Sequence, residues 1–537
     1  MKFKRISAVF IAVFLVFNIV GCNGTVADNS SETSSVVESV NRKNYLTLLY
    51  SMSDSFNPYT VKTAINRQLC QLIYEPLVKL NNNFEPIYCI AKEVTVEGAV
   101  CTVKLNNHIF SDGSTVTADD VVYSYNLAKN SATAYSAKLY EVKSASAVDS
   151  ATVVFNLIKV DPYFINILTF PIIKAGSENI ADSDSVLQPP VGSGRYKVNE
   201  KRDGLTQNEK YYGVKGSIKE IKLINAPDIE SVSHYAQVGA ADMYYNDISD
   251  GTILRMSGKK LDINLNSLVY IGINQNYGAL TENALRQALS SAVDRTKICQ
   301  NIYYNNATPA TGFFHPDWNV VKSVQNIQIE TKSEITIENL EKIGYNSLDS
   351  KGLRVNSNGI PLKFTMLVNS ENRTKVMAAQ LVANQLWEYG ISVTVIEKSY
   401  DQYIQSLADG NFQLYIGEIK LTDNMDISPM VTVGGSAAFG LKVKKPEEIT
   451  QNTGTEGANE VPPETDISGK TPGEVIEGFY AGQNTITDIA SVLQSEMPFI
   501  PLCYRMGVLF YNDNIENVIG SSESDIYFSI ESYNYNE

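Results

Sequence analysis

Residues 362–397 constrain the fold more than any other stretch. LKFTMLV is a short run of strand-forming residues. Residues 371–389 then repeat their apolar side chains at helical spacing and stop at Gly390, after which ISVTVIE alternates apolar and polar positions. Strand, helix and strand at these lengths make a βαβ unit, which requires parallel strands joined by a right-handed crossover. The chain is therefore expected to be α/β, and at 537 residues it is long enough for two or three lobes.

Other segments fit that class. YLTLLY at 45–50 reads as a strand closed by an Asp-Ser-Phe-Asn-Pro turn, and residues 64–74 read as a helix with Ile65, Leu69, Leu72 and Ile73 on one side. Strands are expected at 94–96, 100–105 and 153–157. Residues 281–304 carry Leu285, Ala288, Leu289, Ala292 and Val293 at i, i+3, i+4, i+7 and i+8, the pattern of one amphipathic helix with Thr281 as N-cap. Trp387 falls on the apolar face of the 371–389 helix and is expected in the core, whereas Trp318 follows His-Pro-Asp on a loop and is free to line a pocket. Residues 442–474, poor in large apolar side chains and rich in Pro, Glu, Thr, Asn and Gly, read as an exposed insertion.

The first residues bear on location. Lys2, Lys4 and Arg5 precede a short apolar run at 8–17, and Ile-Val-Gly-Cys ends at Cys22. This is the pattern of a signal peptide (1–21) with a lipoprotein cleavage box, so Cys22 is expected to carry the lipid and residues 22–44 to form a flexible tether; an uncleaved membrane anchor is the alternative. Either way the bulk of the chain lies on the extracytoplasmic side of the cell membrane. A formal charge of −15 offers no basic stripe for phosphates, which argues against a nucleic-acid partner. Besides Cys22, the odd set Cys70, Cys89, Cys101, Cys299 and Cys503 does not suggest a disulfide framework; Cys89 and Cys101 either pair or stay as buried thiols.

Catalytic patterns are weak. Asp119 and Asp120 are adjacent, so on a helix they diverge rather than work as an acid/base pair, and Thr117 three residues ahead of Asp120 reads as a capping box. His108, His234 and His315 stand apart from each other and from any cysteine pair, so no metal site and no cofactor is expected. GSAAFGLK at 435–442 lacks the GK[ST] ending of a phosphate-binding loop, and Gly192-Ser193-Gly194 has the wrong spacing for a nucleophile elbow. An enzyme is not the expected reading.

The order of motifs carries more. Ser55-Phe56-Asn57-Pro58, Leu72-Ile73-Tyr74-Glu75-Pro76-Leu77-Val78, FSDGSTVTADDVVYS from Phe110, Pro190-Val191-Gly192-Ser193-Gly194-Arg195-Tyr196, Arg286-Gln287-Ala288-Leu289 through Asp294-Arg295, and Met497-Pro498-Phe499-Ile500-Pro501-Leu502 resemble, in sequence and order, the family 5 extracellular solute-binding proteins. These are the peptide- and nickel-type receptors of ABC importers. Ser193 and Arg195 depart from the family pattern "pvGtGpY".

The resemblance implies a periplasmic-binding-protein-like (class II) α/β fold, with two hinged ligand-binding lobes and a third, inserted lobe. Lobe I would take 45–80, 191–269 and 483–537, lobe II 81–190 and lobe III 270–482. It further implies a monomeric receptor, held to the membrane by its lipid, that captures a small solute by hinge closure and passes it to membrane permease subunits. An oligopeptide is the leading solute; a metal chelate, an opine or an oligosaccharide is the alternative, and a surface hydrolase or chaperone on the same scaffold is the rival outside the class. In peptide-binding members an Asp within "gW.aDY.dP" meets the ligand amine. The matching stretch here begins at Gly417 with Glu418 in place of Trp, leaving Glu418, Asp423 and Asp426 as candidates, with a turn cap the alternative for Asp426. Arg373, at the start of the βαβ helix, either pairs with a ligand carboxylate or is simply solvated. Asn57 and Tyr270 are expected to face the cleft, and Trp318 to line it.

Overall fold

The computed structural model describes residues 43–536 apart from 184, 186, 249–256, 323, 325–327 and 443–466. Cys22 and most of the 442–474 insertion thus lie outside the described residues. Among those described, no helix is long and apolar enough to cross a membrane.

Three sheets organise the chain. Tyr45–Tyr50 lies parallel to Glu220–Asn225, which continues antiparallel into Gly204–Gln207 and Tyr196–Val198. Ala91–Glu97, Val100–Leu105, Thr152–Leu157 and Val142–Asp149 form an antiparallel sheet in that order. The largest sheet runs Met243–Asn246, Phe499–Tyr511, Lys259–Ile273, Leu414–Lys420, Lys363–Asn369 and Ser392–Lys398, with Ala307–Pro309 added beside Phe499–Tyr511. The expected βαβ unit is present in it: Lys363–Asn369 pairs in parallel with Ser392–Lys398, and the helix between them spans Arg373–Trp387. Asn372 caps that helix by accepting from the Lys375 amide at 3.0 Å, and Gly390 ends it with a φ of +77°.

Two strands connect two cores. In Lys259–Ile273, Ile263 packs with the core around the first helix (Ala64–Ile73), whereas Leu268, Tyr270 and Ile273 pack with the core around the βαβ unit. The antiparallel Phe499–Tyr511 strand makes the same passage, with Leu509 in the first core and Phe499 to Tyr504 supplying the second. Their pairing shifts register between Asn264 and Leu268, where buried Asn264, Asn266 and Ser267 interrupt the apolar pattern. Polar groups bonded to neighbouring backbone, rather than continuous packing, occupy the crossing. Asn266 Nδ2 donates to Thr422 O at 2.9 Å, and its backbone carbonyl accepts from the Leu421 amide at 2.8 Å.

The motifs prove to be scaffold. Thr117 donates through N (2.9 Å) and Oγ1 (2.7 Å) to Asp120, closing the capping box of Ala118–Asn130, and the other Asp120 oxygen accepts from the Ala175 amide at 2.9 Å. Gly194 crosses the end of the first helix so closely that an added Cβ would lie 2.5 Å from Leu72 O. Arg195 is 4% exposed and pairs with Asp525, whose carboxylate also takes Lys79 at 3.0 Å, while Lys79 meets Glu75 at 2.8 Å. This buried cluster ties Arg195 and the segment that follows the first helix to the C-terminal segment, and explains why a cation stands at this departure from the family pattern.

Two expectations are corrected. Residues 281–304 form two helices, Asn283–Ser291 and Arg295–Asn301, preceded by a 3-10 turn over Gly278–Thr281, and Glu282 rather than Thr281 occupies the N-cap position. The break comes from Asp294, which caps the second helix by accepting from the Lys297 amide at 3.0 Å. Buried Arg295 also turns its guanidinium onto Pro501 O (2.7 Å) and Ser290 Oγ (2.9 Å). Trp387 is 52% exposed, because the buried stripe runs through Val382, Gln385 and Leu386 and the next residue is turned about 100° away. Past the residues left undescribed, Thr471 and Glu474 form a capping box that starts the helix Pro472–Tyr480. Cys89 and Cys101 are both free and buried.

Candidate functional site

A cavity of about 330 Å³ lies where several parts of the chain meet. The first helix contributes Arg67, Cys70 and Gln71, at i, i+3 and i+4 and hence on one face, and its C-cap adds Tyr74. The short helix Ala134–Lys138 contributes Tyr135 and Lys138, the end of the Leu414–Lys420 strand contributes Lys420, and the following turn contributes Asp423. The C-terminal segment adds Ser522, Glu523 and Ser524.

The turn that carries Asp423 is pinned on several sides. Met425, buried, takes a left-handed φ of +62°. Asn166 donates to Asp423 O at 3.1 Å, Asn424 donates to Asp161 at 2.8 Å, and Tyr480 donates to Asn424 O at 3.2 Å. Burial pushes the Asp161 carboxyl up to about 6 despite its hydrogen bonds from Asn424 and the Tyr163 amide.

The structure separates the sequence candidates. Asp423 lines the cavity and is ion-paired with Lys138. Asp426 points elsewhere, pairing with Lys159 at 2.9 Å and accepting from the Ser428 amide at 2.9 Å, so it caps its own turn. Glu418 is held between Lys375 (2.8 Å) and Arg505. Arg373 is exposed at the start of its helix. Asn57 is half-buried and accepts from the Tyr59 amide at 2.9 Å, a turn role. Tyr270 is a core residue whose hydroxyl lies 3.3 Å from that of Tyr415. Trp318 is 3% exposed and packs edge-on against Tyr163 at 5.1 Å, away from the cavity.

Sequence reasoning missed Arg67, Tyr135, Lys138, Lys420 and Glu523. The polar face of the first helix, Arg67 and Gln71 four residues apart, was a usable signal for one wall. Lys420 is paired with Glu523, and nearly half of its side chain faces the open cavity. It is nonetheless walled in by protein, and this desolvation, with Lys138 nearby, pulls its ammonium down to about 8 against the opposing carboxylates of Asp423 and Asp247. For Lys138, burial acts downward but Asp423 outweighs it, so its ammonium is held above the ordinary value. Burial raises the Tyr135 phenol to about 12, against the pull of Lys138 and Arg67. The cavity therefore presents several charged groups of both signs in a partly dried space, an arrangement suited to holding a small charged molecule by hydrogen bonds and ion pairs.

Comparison with known proteins shows what the chain is similar to. The model described as "Bacterial extracellular solute-binding proteins, family 5 Middle" matches residues 85–439. The oligopeptide-binding protein AppA of Bacillus subtilis is 26% identical over 423 residues, covering 73% of this chain and 76% of AppA. The nickel-binding periplasmic protein of Escherichia coli is 22% identical over 363 residues, 64% of this chain and 68% of that protein. Among solved structures, one titled a nickel ABC transporter from Bacillus halodurans superposes with a TM-score of 0.69 at 18% identity, covering 92% of this chain and all of that one.

Proposed function

Because the chain belongs to the bacterial extracellular solute-binding proteins of family 5, we propose that it is the receptor of an ABC importer and that its solute is an oligopeptide bound in the cavity between the first helix, Lys138 and Asp423. The fold is the periplasmic-binding-protein-like α/β fold of that family. The observation that carries the peptide reading is the cavity itself. It is of small-ligand size and sets Asp423 against Arg67, Lys138 and Lys420, as a ligand with both an ammonium and a carboxylate requires. The likeness to AppA supports the same solute class. A metal chelate is the second reading, favoured by the likeness to the nickel-binding protein.

The mechanism follows from the two cores. Bending at the polar crossing of Lys259–Ile273 and Phe499–Tyr511 lets the lobe built on the βαβ unit close on the lobe built on the first helix, with the inserted 81–190 lobe moving beside the latter. Closure traps solute and needs no covalent chemistry. The receptor works as a monomer, is retained on the extracytoplasmic face through lipidated Cys22, and delivers solute to its permease. In this mechanism the ligand ammonium replaces Lys138 at Asp423, because a cation taken out of water needs a charged, hydrogen-bonded partner.

The test is a thermal-shift series. A free tripeptide at a hundredfold excess over its Kd stabilises the folded state by about 2.7 kcal/mol. Asp423→Asn or N-acetylation of the peptide should remove that shift, whereas Asp426→Asn should keep it. Equal binding by Asp423→Asn and wild type would exclude amine capture at this residue.

A further inference from the structure

We propose that Cys299 and Cys503, two thiols packed against each other between a helix and one of the strands that cross both cores, are joined in the folded protein by a disulfide, formed by exchange with a small-molecule disulfide while the chain folds. Nothing in this pairing depends on which solute the cavity takes.

Two hydrogen bonds set how the helix Arg295–Asn301 lies along the strand Phe499–Tyr511. At the helix start, Arg295 Nε donates to Pro501 O at 2.7 Å, and just past its end Asn306 O accepts from the Met506 amide at 3.0 Å. Helix and strand therefore advance in the same direction. Cys299 comes one helical turn after Arg295 and Cys503 two residues after Pro501, steps that both cover roughly 6 Å, so the two side chains arrive level. They share a hydrogen bond, and the buried phenol of Tyr303, one turn further along, lies within electrostatic reach of both sulfurs. Cys299 is 3% and Cys503 0% exposed, in the same core. The other thiols are differently placed. Cys70 donates to Phe56 O at 3.4 Å, Cys89 to Ile87 O at 3.7 Å, and Cys101 lies in the other core.

The reactive form of a thiol is the thiolate. In the folded protein, burial and then the hydrogen bond with Cys299 hold the Cys503 thiol well above its usual range, against the opposing guanidinium of Arg505, so the packed pair is a poor nucleophile. Exchange therefore belongs to the folding chain, before the helix settles on the strand. One cysteine thiolate attacks an external disulfide such as oxidised glutathione and displaces one glutathione thiolate; the other cysteine thiolate attacks the mixed disulfide and displaces the second. Two electrons pass from the cysteines to glutathione, and the two cysteine protons end on the two glutathione thiols. The chain belongs to an extracellular family, and outside the cytoplasm disulfides persist. The bond joins segments far apart in sequence, which restricts the unfolded chain. It lies wholly in the core around the βαβ unit and leaves the polar crossing between Asn264 and Leu268 free to bend.

The test takes the full-length protein, unfolded and reduced, and refolds it in a buffer of reduced and oxidised glutathione. It is then alkylated with iodoacetamide in denaturant and digested without reduction. Mass spectrometry should find the Cys299 and Cys503 peptides linked, about 2 Da below the sum of the two thiol peptides, with Cys70, Cys89 and Cys101 alkylated. The oxidised protein should unfold at a higher urea concentration than the reduced one, and the double variant Cys299→Ala with Cys503→Ala should show no such difference between oxidising and reducing buffer. In Cys503→Ala alone, Cys299 should be recovered alkylated. Recovery of both cysteines of the refolded wild type as alkylated thiols, or of either one linked to a different cysteine, would overturn the pairing. Equal urea midpoints for the oxidised and reduced wild type would overturn its stabilising role.

Discussion

Asp525→Asn tests whether the buried ion cluster is what fastens the C-terminal segment to Arg195 and to the segment that follows the first helix. The substitution keeps the shape of the side chain but leaves Lys79, 3.0 Å away, and Arg195 facing a neutral amide, with Asp525 itself 1% exposed. Removing one partner from a buried pair costs about 3–5 kcal/mol. Burial alone would push the Asp525 carboxyl up, but Arg195 and Lys79 outweigh it and hold it below the ordinary 3.8. A lowered folded pKa contributes stability above the unfolded value, and loses it as pH falls through the folded value. Urea unfolding should therefore show the full difference between wild type and Asp525→Asn at pH 7, narrowing below about pH 4. The double variant Arg195→Met with Asp525→Leu should cost less than Asp525→Asn alone, because it leaves Lys79 balanced by Glu75 at 2.8 Å. A loss under about 1 kcal/mol for Asp525→Asn at pH 7, or one independent of pH, would refute the reasoning.

Three further substitutions test other parts of the structure. Gly194→Ala puts a methyl 2.5 Å from Leu72 O and should cost roughly 1–3 kcal/mol or prevent folding, measured by urea denaturation. Burial lowers the imidazole of His315 to about 3, so its contribution to stability is present above the unfolded pKa near 6.5 and falls by about 1.4 kcal/mol per pH unit below it. His315→Phe should unfold with a correspondingly flatter pH dependence between 6.5 and 5, the decline being the part that disappears. Trp387→Gln should change stability by less than about 0.5 kcal/mol, whereas Leu386→Ala, one residue earlier and 1% exposed, should cost about 2–5 kcal/mol.

What was legible in the sequence was local. The βαβ unit shows itself because its period changes within a few turns of chain and Gly390 supplies the left-handed helix end. The Thr117–Asp120 box is likewise spelled out within four residues. The break at Asp294 was hidden, since the apolar spacing runs on through Ala292 and Val293. What decides it is a side-chain cap together with Arg295 bonding to Pro501, 206 residues away. The candidate cavity was the least legible part for the same reason. Its ion pairs join Lys138 to Asp423 and Lys420 to Glu523, 285 and 103 residues apart, and no spacing rule links residues that far separated. Of the three carboxylates singled out from the motif, Asp426 and Glu418 found lysine partners outside the cavity, and only their folded neighbours distinguish them from Asp423.

Capture of an intact peptide is the property on which the proposed receptor role stands or falls. Native mass spectrometry of the purified protein, incubated with an equimolar mixture of tripeptides to hexapeptides and a nickel–histidine complex, addresses it most directly. A one-to-one complex with an uncleaved peptide is expected, lost when the peptides are N-acetylated. Retention of the nickel complex with no bound peptide, or release of peptide fragments, would contradict it.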